Sequence, residues 1–311
     1  MNIVFLDAKT IGDDIDLGKF DALGQVTKYP FSTNHQARIR AVNADILIVN
    51  KVPINADTLD DARHLKLVCV TATGTDNLDK EYLQKRGIAW KNVAGYSTES
   101  VTGHTFALLF YLLEKLRYYD DYVKNGSYVN DTIFSHFDEV FHELNGMTYG
   151  IIGLGAIGRR VASIATAFGM HVIYASASNQ PRQEGYTQVS MDVLLKTSDI
   201  ISIHAPLNSY TENLIDAIAL KKMKHTAILL NLGRGPIINE ADLAAALLNN
   251  QIAAAGLDVL SEEPMRDNNP LLQIKNSKKL LITPHIAWAS VESRIRLMDV
   301  IYSQIKDFFH L

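Results

Sequence analysis

The stretch Tyr149–Arg160, YGIIGLGAIGRR, constrains this chain more than any other. Thr148–Ile152 is short, β-branched and apolar, the pattern of a buried strand. Gly153, Gly155 and Gly158 follow in G-x-G-x-x-G spacing, and Ala156–Phe168 has the composition of a helix. Gly169 then ends that helix, and His171–Ala175 reads as a second strand. Strand, glycine turn, helix and strand together form the context that a dinucleotide-binding turn requires. In that reading Gly153 permits the tight turn, Gly155 lets the backbone approach a pyrophosphate, and Gly158 lets helix lie close on strand. Free N–H groups and the positive end of the helix dipole would hold the phosphates. The bland alternative is a tight turn in any α/β protein, and the flanking strands weigh against it.

Length makes two domains the expectation, since 311 residues exceed one ordinary domain. A net charge of −4 offers no general basic field, so nucleic acid is not an expected partner. The single cysteine, Cys69, lies in an apolar run and reads as an inert core thiol; no disulfide framework and no metal site are expected. The start, MNIVFLDAKT, goes straight into a strand pattern without a charged leader. No stretch has the ~18 apolar residues of a membrane span, so a cytoplasmic protein is expected and no membrane partner.

Before the glycine turn, five short strands alternate with helical segments: Asn2–Leu6, Gln25–Tyr29, Asp45–Asn50, Leu67–Thr71 and Ile88–Asn92. The helices read near Asn34–Val42, Ala56–Arg63 and Lys80–Arg86, the last with Asp79 as N-cap and Gly87 as its stop. This alternation predicts a parallel sheet with helices on both faces, where ligands sit beyond the carboxyl ends of strands. Two strand exits suit that role: Asn50-Lys51-Val52-Pro53, and Ala72-Thr73-Gly74-Thr75-Asp76. The second is small and contains glycine, so its N–H groups could form an anion nest, or it is a plain solvent turn. Lys51 by itself reads as a surface lysine.

Val101–Leu116 is apolar almost all the way round and predicts a helix buried on most sides, bridging out of the first domain between domains or subunits. His104 within it reads as a hydrogen-bonded interface histidine. Tyr118–Asn145 is aromatic, charged and poorly periodic, and the cluster Tyr111, Tyr118, Tyr119 and Tyr122 suits an interface or a core equally.

After the opening β-α-β unit, strands read at Ile200–His204, Ala227–Asn231, Ala253–Val259 and Leu280–Thr283, with helices capped by Ser190 and Asn239. Six parallel strands with a glycine turn after the first predict a doubly wound dinucleotide-binding sheet. Three strand exits carry polar residues a simple core would not need: Asn231-Leu232-Gly233-Arg234-Gly235-Pro236, Asp258 with Ser261-Glu262-Glu263-Pro264, and Thr283-Pro284-His285. Arginine presents a rigid fork that matches a carboxylate. If the exits converge, an arginine, a carboxylate and a histidine line one cleft.

These residues resemble the D-isomer-specific 2-hydroxyacid dehydrogenase family, most closely its glycerate dehydrogenase or hydroxypyruvate reductase branch. The resemblance runs along almost the whole chain, through NKVPI, TATGTDNLD, NVAGYSTESVTGHTFALL, GIIGLGAIGRRVA, NLGRGPIINEADLAAAL, GLDVLSEEP and TPHIAWAS. It implies a Rossmann dinucleotide-binding domain over 100–287. It also implies a smaller flavodoxin-like substrate domain over 1–99 and 288–311, discontinuous because a final helix, Ser290–Phe309, leads the chain back, with a cleft between the two. It implies that Arg234 binds the substrate carboxylate and carbonyl, that Glu263 pairs with the proton-donating His285, and that the Thr73–Gly74 turn and Lys51 meet the substrate. Trp288 and Pro53 would border its side chain, and Trp288 argues against a very large one. Asp258 matches a residue that holds the nicotinamide carboxamide. Val101, Gly153, Gly155, Ala156, Ile157, Gly158, Ser176, His204, Ala205, Pro206, Thr211, Asn231, Leu232, Gly233, His285 and Ala287 match positions toward the cofactor. A homodimer through the cofactor domain is implied in the same way.

The chemistry that follows is reduction of a small 2-oxo acid, hydroxypyruvate or glyoxylate. Hydride comes from a nicotinamide, and His285 acts as general acid beside Glu263. Other 2-oxo acids such as pyruvate are the nearest alternative. A cofactor-sensing binding protein is a more distant one, and neither the extra tails of such proteins nor the regulatory tail of phosphoglycerate dehydrogenases is seen. Members that choose NAD commonly place an aspartate where Ser176 stands. Here Ser176, Ser178 and the nearby Arg182 replace that negative charge, which favours NADP over NAD.

Overall fold

The computed structural model describes residues 1–176, 185–276 and 278–311. It divides into two compact units, Met1–Ser97 with Ala289–Leu311, and Thr98–Trp288.

The first unit is built on strands β1 (Asn2–Phe5), β2 (Gln25–Lys28), β3 (Ile46–Val49), β4 (Leu67–Val70) and β5 (Ala89–Lys91), with helices α1 (Asn34–Ala41), α2 (Ala56–Leu59) and α3 (Lys80–Lys85). All five strands pair in parallel in the order β2-β1-β3-β4-β5. The central strands β3 and β4, ILIV and LVCV, are buried at every position, as a sheet covered on both faces demands. Edge strand β2, QVTK, is exposed at both ends. Ala37, Ala41, Leu59 and Leu83 from the three helices pack on one face. The crossover from β1 to β2, which shows no helical periodicity, holds two 3₁₀ turns, Ala8–Ile11 and Gly18–Leu23. Phe20 of the second turn packs edge-on against Phe5 and against Tyr302 of the C-terminal helix, covering the other face. Cys69 is fully buried, and burial pushes its thiol up to about 12, so it is inert at neutral pH.

The second unit opens with α4 (Thr98–Leu113) and α5 (Leu116–Lys124), then β6 (Thr148–Ile152), α6 (Ala156–Ala167), β7 (His171–Ala175) and β8 (Thr187–Gln188). It continues with α7 (Met191–Thr197), β9 (Ile200–Ile203), α8 (Ala217–Lys222), β10 (Ile228–Asn231), α9 (Glu240–Leu248), β11 (Ala254–Leu257) and β12 (Leu280–Ile282). The chain then returns to the first unit as α10 (Val291–Phe309), N-capped by Ser290, whose Oγ accepts the Ser293 N–H. The sheet has seven parallel strands in the order β12-β11-β10-β9-β6-β7-β8, one more than the sequence pattern predicts. The addition, β8, is a two-residue edge strand too short to show a period. Helix α8 also escapes the pattern, and its signal is a cap rather than a stripe: the Asp216 side chain accepts the Ala219 N–H.

Helix α4 is apolar on nearly every side because it lies within this unit, packed with α6 on one face of the sheet beside β10 and β11. Helices α7, α8 and α9 cover the other face through Leu194, Leu220 and Leu243. The predicted continuation of α4 to Leu116 breaks before α5, at Lys115, which adopts a left-handed backbone. Tyr118, Tyr122 and His136 form a stacked surface cluster, with the Tyr122 and His136 rings 3.7 Å apart. Its rings are only partly buried, so it lies at the surface rather than in the core. No described helix is long and apolar enough to cross a membrane.

Candidate active site

Strand order reverses between β6 and β9, and chain crevices form at such switch points. The glycine turn leaves β6 and His204-Ala205-Pro206 leaves β9, so both line this point. Gly153 has φ +94°, and a Cβ there would lie 2.8 Å from the Ala205 nitrogen. At Gly158 a Cβ would meet the Gly153 carbonyl at 2.3 Å. Those two glycines are required by the protein's own packing. A Cβ at Gly155 would meet nothing within 4 Å. Gly155 is also the N-cap of the twelve-residue helix α6, no side chain caps that end, and no acidic residue sits in the first turn. An open, uncapped and acid-free helix start fits the pyrophosphate of a dinucleotide, whose charge would complete it.

The walls of this crevice are tied together by side chains. Thr211, fully buried, donates to the Pro206 carbonyl at 2.7 Å and accepts the Asn208 N–H, closing the turn after β9. His204 Nε2 lies 3.0 Å from Ser202 Oγ, while Nδ1 is buried and has no partner among the described residues. Burial lowers its pKa to about 3, so the ring is neutral. Val101, Ala205, Asn231, Leu232 and Ala287 are buried, and Ile157 packs on the core, so these offer backbone or apolar surface rather than charge. Ser176 follows β7, while Ser178 and Arg182 lie outside the described residues.

Three further exits form one bonded assembly. After β10, Asn231 accepts the Gly233 N–H and donates to the Arg234 carbonyl at 2.9 Å, holding the turn that presents Arg234. The Arg234 Nη1 donates to the Gly233 carbonyl. Gly235 packs so closely on the turn after β11 that a Cβ would lie 1.9 Å from the Leu260 carbonyl carbon. Within that turn the Glu263 Oε1 accepts the Leu260 N–H at 3.0 Å, and Oε2 lies 2.7 Å from His285 Nδ1. The carboxylate thereby bridges the exits of β11 and β12 and leaves Nε2 as the outward ring nitrogen.

His285 has a left-handed backbone, φ 56°, rare for a residue with a Cβ. Its N–H donates to the carbonyls of Asp258 (2.8 Å) and Thr283 (2.9 Å). The buried Asp258 carboxylate accepts the Thr283 hydroxyl at 2.6 Å and the N–H groups of Ile286 and Ala287 at 2.9 Å each. Asp258 therefore shapes the His285 segment from within, a role invisible in its spacing. Glu240, which the pattern did not single out, accepts the Ser261 N–H at 2.6 Å and Asn269 Nδ2 at 2.7 Å and steadies the same turn. Trp288 is partly buried against the core of this unit.

In the first unit, Thr73 donates its hydroxyl to the Val93 carbonyl at 2.9 Å, and Asn92 donates to the Thr73 carbonyl at 2.6 Å. Among the described residues, no acceptor meets the Thr73 and Gly74 N–H groups, which is what an anion nest needs. The other exit is organised by Asp7, a residue the sequence pattern passed over. Its buried carboxylate accepts the N–H groups of Asn50 (2.9 Å), Lys51 (2.7 Å) and Val52 (3.3 Å). Burial pushes the Asp7 carboxyl up, and the three N–H groups act against it.

A doubly wound sheet with an uncapped glycine turn and an Arg–Glu–His set at its strand exits defines a dinucleotide-dependent oxidoreductase. Residues 106–287 match the family described as D-isomer specific 2-hydroxyacid dehydrogenase, NAD binding domain. A glycerate dehydrogenase of Methylorubrum extorquens is 37% identical over 307 residues, 98% of this chain and 95% of that one. A hydroxypyruvate reductase of Blautia hydrogenotrophica is 36% identical over 314 residues, covering 99% of this chain and 97% of that one. Among solved structures, an acyclic imino acid reductase in complex with NADPH and D-Arg superposes with a TM-score of 0.88 at 30% identity, over 100% of this chain and 97% of that one. The chain belongs to the D-isomer specific 2-hydroxyacid dehydrogenase family.

Proposed function

We propose that this protein reduces a small 2-oxo acid, hydroxypyruvate or glyoxylate, to the D-2-hydroxy acid, with NADPH as the preferred donor. The observation that carries the reading is the His285–Glu263 pair, bonded at 2.7 Å and joined through the Leu260 turn to the exit that presents Arg234. When bound, the nicotinamide supplies hydride to the carbonyl carbon. Arg234 pairs its fork with the substrate carboxylate and polarises the ketone oxygen. As negative charge grows on that oxygen, His285 Nε2 delivers a proton, and the ring takes one back from the alcohol in the reverse direction. Glu263 fixes the ring by its Nδ1 edge and offsets the positive charge of its protonated form. In the first unit, the Thr73 and Gly74 N–H groups and Lys51 are our candidates for contact with an anionic ligand. We assign Asp258 and Trp288 to the nicotinamide and substrate regions respectively, as the family resemblance implies.

Hydroxypyruvate rests on the names of the two relatives above, and glyoxylate is kept beside it as the family resemblance implies. The cofactor lean rests on Ser176, which presents a hydroxyl where an acidic residue would repel a 2′-phosphate. We also propose a homodimer through the second unit, because Val129, Phe134, Phe137 and Val140 expose most of their surface. The test of the activity is nicotinamide absorbance with hydroxypyruvate, glyoxylate and pyruvate, each with NADPH and NADH. The expected order in kcat/KM is hydroxypyruvate and glyoxylate above pyruvate, and NADPH above NADH. A pyruvate maximum would replace the substrate, and silence throughout with retained cofactor binding would favour a sensor.

A further inference from the structure

Helix α4 sends two side chains, one turn apart, onto the segment that carries His285. Ser100 Oγ donates to the Ala287 carbonyl at 2.6 Å. His104 Nε2 lies 2.9 Å from Thr283 Oγ1. The hydrogen of each bond can be assigned. The Asp258 carboxylate can only accept, so the Thr283 hydroxyl, 2.6 Å away, spends its proton there. The same hydroxyl must then accept from His104, which puts a hydrogen on Nε2. The chain of donors runs His104 to Thr283 to Asp258, and Asp258 in turn receives Ile286 and Ala287.

Positions 283 and 287 stand two residues on either side of His285, and both are held from α4. Between them His285 keeps its left-handed backbone. An L-residue in that region is not at its conformational minimum and persists only when its surroundings determine it. The same backbone setting aims the ring at Glu263, 2.7 Å away.

We propose that Ser100 and His104 are positioning residues for the proton donor: a two-point clamp from α4 that holds Thr283 and Ala287 so that His285 stays aligned with Glu263. This rests on His285 being the proton donor, as above. His104 acts on His285 only through the Thr283 hydroxyl and the backbone it holds, not by touching substrate. Glutamine can place an amide N–H where Nε2–H stands, whereas leucine fills the space without a donor.

The test compares His104→Leu, His104→Gln and Ser100→Ala with the parent and with His285→Gln, on the hydroxypyruvate, glyoxylate and pyruvate panel with NADPH. Loss of an orienting hydrogen bond to a working group is expected to lower kcat ~10–100-fold in His104→Leu. KM for the 2-oxo acid and the NADPH Kd should stay within about twofold, and His104→Gln should recover most of the rate. Ser100→Ala, which removes one atom, is the variant to rely on if His104→Leu does not fold, and should lower kcat several-fold with the same unchanged KM. A parent-like kcat in His104→Leu, or in Ser100→Ala if the former does not fold, overturns the clamp, as does a His104→Gln rate as low as that of His104→Leu. His285→Gln separates the two ideas. If it turns over like the parent, the reading of the site falls; if it is inactive while His104→Leu is normal, only the clamp falls.

Discussion

Glu263 divides its carboxylate between a backbone and a ring: Oε1 holds the Leu260 N–H at 3.0 Å and Oε2 holds His285 Nδ1 at 2.7 Å. Glu263→Gln keeps one acceptor and loses the charge. It should lower kcat by ~10–100-fold and leave the NADPH Kd unchanged, whereas His285→Gln should lower kcat by ~10²–10⁴. Steady-state kinetics with a fluorescence titration of NADPH checks both. Equal rates in Glu263→Gln and the parent would remove the pair from the mechanism.

Arg234→Lys retains a positive charge and loses the planar fork. The expected result is a rise in KM for the 2-oxo acid of ~10-fold or more together with a fall in kcat, since one ammonium cannot meet carboxylate and ketone oxygen at once. A KM unchanged across the substrate panel would show that Arg234 does not read the carboxylate.

The three glycines of the turn should part company when each becomes alanine. Gly155→Ala has open space, so Tm should hold while dinucleotide affinity falls. Gly153→Ala meets Ala205 backbone at a positive φ and should lose ~1–3 kcal/mol of stability before any ligand is added. Thermal melts and cofactor titrations on the two variants check this. Equal melting losses would contradict the distinction.

His204 gives a pH dependence with a definite sign. Its folded pKa is lowered to about 3 by burial, against ~6.5 when unfolded. Between those values the unfolded chain binds one proton more, so stability falls as pH drops from ~6.5 toward 3. His204→Asn removes that contribution. Urea midpoints at neutral and acid pH should therefore converge for the variant relative to the parent, and parallel curves would contradict it.

Much of the fold was legible because its signals are local. The mainly apolar runs of β3, β4, β9 and β10 are buried throughout, and the caps Asp79, Ser190 and Asn239 each accept a backbone N–H as the sequence predicts. What was not legible depends on partners distant in sequence. The 3₁₀ turns around Phe20 are held by Phe5 and Tyr302, and β8 exists only through pairing with β7. The same holds at the site. Arg234, Glu263 and His285 announce themselves by side-chain type at strand exits, whereas Asp7, Ser100 and Glu240 act by accepting or donating to backbone more than 20 positions away. Such a residue has no motif, only a destination. His104 was legible as a hydrogen-bonded histidine, but its partner, the Thr283 hydroxyl, is distant in sequence and no spacing announces it.

The contact of Gly235 with the Leu260 carbonyl carbon joins the arginine exit to the glutamate exit as if they were one casting. A side chain at 235 cannot be added without moving the turn that Glu263 closes, so Gly235 helps to set the spacing between Arg234 and the Glu263–His285 pair. If Arg234 meets the carboxylate and His285 the ketone oxygen as proposed, that spacing is matched to the 2-oxo acid group. Which acid such a chain consumes would then be set by the residues that meet the third substituent on the carbonyl carbon.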